Sequence, residues 1–146
     1  MNYRRWLIEE LQNYERDKFS LHQTQEELET LEAEFTAIKA TNYDKMPGGS
    51  GDNVQEEKLL TVLAKKDERQ KNLEHTARHV EDIERLLSQL PENERKIIEL
   101  AVIKKNRYSD YELEEMIGYE RTQIWRLKNK ALNHLARLKF GVSYQP

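Results

Sequence analysis

An all-α fold follows from three features of this 146-residue sequence. Two long stretches carry apolar residues at spacings of three and four, which places them on one stripe of a helix. A proline- and glycine-rich break separates the two stretches. Near residue 118, a short helix, a glycine and a second helix follow in close order. The predicted architecture is a long, coiled-coil-like N-terminal helical hairpin over residues 1–89, with a linker near 41–55. A C-terminal tri-helical helix-turn-helix domain is expected over 90–146.

In the first stretch the seam is Leu7, Leu11, Tyr14, Leu21, Leu28, Leu31, Phe35 and Ile38, interrupted by Lys18 and Gln25. The second seam is Leu59, Leu63, Leu73, Ala77, Val80, Ile83, Leu87 and Leu90, interrupted by Lys66 and Gln70. Between them lies Met46-Pro47-Gly48-Gly49-Ser50-Gly51-Asp52, where proline lacks an amide donor and glycine weakens helix, so the chain is expected to turn. The simplest result is an antiparallel hairpin in which each seam covers the other. Two helices alone leave the seam edges in water, and polar seam residues often set oligomer state. Burial of those edges predicts a homo-oligomer through residues 1–89.

The C-terminal pattern is more specific. Ser109 and Glu112 form an S-x-x-E capping box, predicted to satisfy free N–H groups at a helix start. Leu113, Met116 and Ile117 share the buried face of that helix. Gly118 suits the positive φ of a helix end. Glu120 is the expected N-cap of the next helix, whose stripe is Ile124, Leu127 and Ala131. From Arg121 to Phe140 the chain carries Arg121, Arg126, Lys128, Lys130, Arg137 and Lys139, with no Asp or Glu. A basic helix following an acidic one concentrates positive potential where a DNA-recognition helix would face phosphates.

Composition supports long, solvated helices, since 37% of residues are hydrophobic and 35% charged. The net charge of −3 is unevenly distributed: residues 91–146 hold 11 Lys/Arg against 8 Asp/Glu, and residues 1–90 hold 13 against 19. The two halves are therefore expected to face different partners, nucleic acid and protein respectively. The lack of cysteine fits a reducing compartment. The basic start, Met1 to Glu10, lacks the apolar core of a signal peptide. No apolar run approaches membrane-spanning length, so no membrane partner and a cytoplasmic location are expected.

Leu90-Pro91-Glu92-Asn93-Glu94-Arg95-Lys96-Ile97-Ile98-Glu99-Leu100 followed by the hairpin resembles region 4 of sigma-70-type factors, which reads the promoter −35 element. Ala131-Leu132, Leu135 and Arg137 fit the ending of that pattern. The stretch from Thr41 to Gly49 and the overall layout resemble small prophage-encoded late-gene regulators of the RinA and ArpU type. The resemblance implies a sequence-specific, DNA-binding transcription regulator, an activator, acting on double-stranded DNA in a bacterial host cell and contacting RNA polymerase. It implies base-reading positions at Arg121, Thr122, Gln123, Trp125 and Arg126. Arginine can pair bidentately with guanine and glutamine with adenine. Lys128, Lys130 and Ser109 would hold phosphates and set register.

Two positions depart from the resemblance. Glu114 stands at the elbow, where a small residue is usual, so either its carboxylate snorkels outward or the helices cross differently. Trp125 stands on the outer face, to pack on thymine methyls and sugar or against a partner or the N-terminal region.

Enzyme chemistry has little support in the residues. His75 and His79 stand i, i+4 without a third marked ligand or the glutamate of H-E-x-x-H, so no metal is expected. Gly48-Gly49-Ser50-Gly51 lacks the lysine of a phosphate loop, and no cofactor is expected. Two other classes share these features: a small-terminase-like DNA-packaging protein, and a coiled-coil adaptor or antirepressor that binds no DNA.

Overall fold

The computed structural model describes residues 2–43 and 52–141, and these are helical without a strand. Helix α1 spans Tyr3–Tyr43 and α2 spans Asp52–Ser88. Helix α3, Glu92–Ile97, runs on into a π-helical turn, Ile98–Ile103. Helix α4 spans Asp110–Ile117 and α5 spans Arg121–Phe140. Both ends of the expected linker near 41–55 are helical, because α1 continues through Tyr43 and α2 begins at Asp52. Its Pro-Gly centre, residues 46–51, lies outside the described residues.

Packing divides the chain at different places from the expected boundary at 89/90. One compact unit comprises Met1–Asp17 with His79–Pro146, and the other comprises Lys18–Arg78. The reason is a shared core. Leu7 and Leu11, each 1% exposed, cluster with Ile83, Leu87 and Leu90 of the α2 end and with Leu132 and Leu135 of α5. The π-turn adds Ile98, Val102 and Ile103 to the same cluster. Aromatic contacts close its edge: the Phe140 ring lies 4.7 Å from Tyr3 and 5.4 Å from Trp6, edge-on to the latter. Arg4 also donates a hydrogen bond to Asn129 of α5, and Arg107 meets Glu15 at 3.0 Å.

This core changes the argument for assembly. Leu7, Leu11, Leu28, Leu31, Leu73, Val80 and Leu87 were expected to leave apolar edges in water, yet Leu7, Leu11, Val80 and Leu87 are buried within one chain, and Leu28, Leu31 and Leu73 are half-buried. The C-terminal helices share one core with Leu7, Leu11 and Leu87, so a second copy is not required for the burial of these three.

In the other unit, Glu27 pairs with Arg69 at 2.8 Å and Glu32 pairs with Lys66. Partners advance along α1 as they recede along α2, as antiparallel helices require. The α2 stripe runs through Val62, 4% exposed, and not through Leu63, which is 43% exposed. Leu59, Lys66, Leu73, Val80 and Leu87 repeat every seven residues, and Val62 sits at the complementary three-residue step, so they share one stripe of α2. Lys66 occupies this stripe by pairing with Glu32 and lying 5.0 Å over the Phe35 ring. On α1, Lys18 and Gln25 are exposed, and the neighbouring Asp17 and Thr24 take the half-buried positions instead. His79 explains the first of these, since its ring nitrogens meet Glu10 and, at 2.8 Å, Asp17. His75 is exposed.

Leu11→Ala is expected to cost about 2–5 kcal/mol through lost burial and a residual cavity. Leu63→Ala should change stability by no more than about 0.5 kcal/mol, as surface substitutions do. Denaturant unfolding followed by tryptophan fluorescence compares the two. Equal effects would overturn the shared core.

Candidate nucleic-acid interface

The geometry of the C-terminal residues starts from two helix ends. The Glu112 amide donates to Ser109 Oγ at 3.2 Å, and the Ser109 hydroxyl donates to Glu112 Oε1 at 3.2 Å. The capping box therefore closes on itself, with the carboxylate accepting from the hydroxyl and not from a backbone amide. Ser109 is engaged as an N-cap, which is the state from which any phosphate contact would have to start. At the other end of α4, Gly118 adopts φ 85° and ψ 17°, and its amide donates to the Glu114 carbonyl at 2.8 Å. A Cβ placed there would meet no atom within 4 Å, so the requirement for glycine is the backbone conformation itself.

Glu120 occupies the N-cap position of α5 as expected, but its side chain makes no capping bond. The capping carboxylate comes from the preceding helix: Glu114 Oε1 accepts from the Arg121 amide at 3.1 Å. This resolves the departure at the elbow. A small residue lets two helices approach, whereas Glu114 turns its carboxylate toward the free amides and positive dipole end of α5. Arg121 is then held twice, because its guanidinium also meets Asp110 at 3.2 Å. Both groups of that pair are mostly exposed, so it contributes little to stability.

Helix α5 packs on α3, on the π-turn and on α4. Its buried stripe is Ile124, Ala131, Leu132, Leu135 and Ala136. The basic residues divide between two faces around that stripe. Arg126, Lys130 and Arg137 line one concavity with Asn133 and His134. Arg121, Trp125 and Lys128 line a different groove, with Lys105 and Asn106 from the loop before α4. Thr122 and Gln123 are exposed on the first turn. The sequence-derived set therefore does not converge on a single face. Trp125 is 61% exposed, so it is not buried against the N-terminal region. Burial, and after it the charges of Arg4 and Lys105, push the Lys128 ammonium below the usual lysine range.

Sequence reasoning missed two groups. Glu94 is 3% exposed, and its carboxylate meets His134 Nδ1 of α5 at 3.1 Å. Its spacing to Ile97 and Ile98 places it on the buried face of its helix, a signal that was present in the sequence. Lys105 lines one concavity with Arg4 and a groove with Lys128, and nothing in their sequence separation announces it. Among the described residues, no group of three or more His, Cys, Asp and Glu could hold a metal, and no helix is long and apolar enough to cross a membrane.

Glu114→Ala should destabilise the α4–α5 elbow by about 0.5–2 kcal/mol, the usual range for a lost N-cap, with Glu114→Gln losing much less because it keeps an acceptor oxygen. Gly118→Val should cost about 1–2 kcal/mol or more from the left-handed conformation alone. Thermal unfolding of the full chain measures both, and wild-type stability in either alanine or valine variant would contradict the capping and turn assignments. No protein-family model matches this chain, and no curated protein or solved structure matches it.

Proposed function

We propose that this chain is a sequence-specific, DNA-binding transcription regulator of the phage or prophage type, with α4 and α5 as a helix-turn-helix. The observation that carries the proposal is the acid-free helix α5. It presents Arg126, Lys130 and Arg137 away from its buried stripe, and α4 fixes its start through Gly118 and Glu114. Phosphates attract such a face, and the exposed first turn supplies Thr122, Gln123 and Arg126 for base edges. The long α1–α2 hairpin is the protein-facing part of this proposal, toward RNA polymerase or a second copy. Leu60 and Leu63, both exposed on α2 at a spacing of three, are apolar residues it offers, with Phe19 of α1 and Val54 of α2 also exposed.

Duplex binding by the full chain, titrated with salt, tests the proposal. Lys130→Ala should weaken all sequences alike and flatten the salt dependence by about one unit of slope. Gln123→Ala or Arg126→Ala should cost about 1–3 kcal/mol on the selected site and relax preference at one base position. Equal losses on selected and random duplexes would remove the base-reading assignment. Absence of duplex binding would favour an adaptor that recognises an acidic protein. Selection of bound fragments from phage DNA separates promoter from packaging locus.

For assembly, sedimentation of the full chain compares wild type with the Leu60→Lys, Leu63→Lys double variant. The variant is expected to be smaller in mass. A wild-type monomer would discard self-association through the hairpin.

A further inference from the structure

A cluster of cations lies outside the face that bears Arg126 and Lys130. Arg4 comes from the first turn of α1, Lys105 from the loop after the π-turn and Lys128 from α5. Arg4 and Lys105 line one concavity, and Lys105 and Lys128 line the neighbouring groove. Burial first, and then the like charges of Arg4 and Lys105, disfavour the Lys128 ammonium. The carboxylates nearby are already taken: Asp110 meets Arg121 at 3.2 Å, and Glu9 meets Arg5 at 3.3 Å. Arg4 spends its hydrogen bond on a neutral amide, Asn129. Among the described residues, no carboxylate pairs with Lys105 or Lys128. Lys128 has thus lost water without gaining an opposite charge, and like charges stand beside it.

Such a cluster is unfavourable in the free protein and becomes favourable when an anion enters. We propose that Arg4, Lys105 and Lys128 form a seat for the phosphate backbone of duplex DNA, with Trp125 at its rim against the sugars. The proposal rests on the DNA-binding function above and adds Arg4 and Lys105 to it. DNA is favoured as occupant because Lys105 and Lys128 share their groove with Arg121 and Trp125 of the first turns of α5, and Arg4 adjoins it through Lys105. That places it beside the side chains that would read bases. An exposed tryptophan suits a sugar or base face better than it suits a free anion. The seat also gives α1 a part in DNA binding, which the sequence assigned wholly to residues beyond 90.

The test uses the full chain and two duplexes, one selected and one random. Each phosphate contact contributes about 0.9 to the slope of log affinity against log salt. Lys105→Ala and Arg4→Ala should each make the slope shallower by about that amount and weaken both duplexes by the same factor. Lys105 is exposed in a loop, so its variant should melt at or slightly above the wild-type temperature, since a like charge has gone. Arg4→Lys, which keeps the charge, should retain most of the slope. Wild-type slopes in both alanine variants, with wild-type protein still binding DNA, would overturn the seat and leave the proposed function standing. Loss of slope restricted to the selected duplex would also overturn it, because a backbone contact carries no sequence. If the wild-type chain binds neither duplex, the function and the seat fall together.

Discussion

Leu7 and Leu11 govern the folded unit that carries α5. They come from the second and third turns of a long helix, yet both are sealed by residues more than 70 positions away in sequence, from Ile83 to Leu135. Full burial of a leucine is worth about 1.5–3 kcal/mol, whereas an exposed ion pair contributes about 0–1. The contacts at the edge, such as Arg107 with Glu15, therefore follow from the apolar core and do not create it. The orientation of α5 follows from it as well. Its stripe of Ala131, Leu132, Leu135 and Ala136 faces the same cluster, which fixes the azimuth of every basic residue along the helix. Small alanines in that stripe allow close approach, and the leucines fill the space between.

The elbow adds a second constraint, local in sequence and mostly polar. Gly118 supplies a conformation, and Glu114 supplies an acceptor for the first amide of α5. Together they fix where α5 begins. Buried Glu94 ties α3 to α5 from the other side through His134. A carboxylate held this deeply needs its partner, because a buried charge left alone is costly. The helices around α5 are thus joined by one apolar cluster and by the carboxylates of Glu94, Asp110 and Glu114.

Helix-period patterning made the helices legible, and it failed where one-residue register mattered. Val62 and Leu63 are both apolar, and only the seven-residue repeat through Leu59, Lys66 and Leu73 distinguishes the buried one. Lys66 looked like an interruption because its charge obscures its position, although its ammonium lies over the Phe35 ring and pairs with Glu32. The turn at Gly118 and the Ser109 cap were legible because both depend on neighbours within a few residues. The role of Glu114 was not, since its partner is an amide seven residues away across a turn. The same limit hid the union of α1 with α5. Leu7 and Leu11 read as hairpin seam, and nothing local says that α5 covers them.

The split of basic residues between two faces is compatible with one mode of DNA entry. Lys128 and Lys130 stand two residues apart, which turns them about 200° from each other around a helix. A helix lying sideways on a backbone would use one of them and waste the other. A helix entering the major groove by its N-terminal end uses both, because a phosphate backbone then flanks it on each side. In that orientation the first turn meets base edges from all around its circumference. Arg121, Thr122, Gln123, Trp125 and Arg126 are exposed there despite pointing in different directions. Acid-free composition along the whole of α5 makes sense under the same geometry, since either flank would otherwise repel a backbone. On the proposed DNA-binding reading, Arg137, about two turns further along, would reach DNA only if the groove curved toward it, so its charge would bear on approach more than on contact.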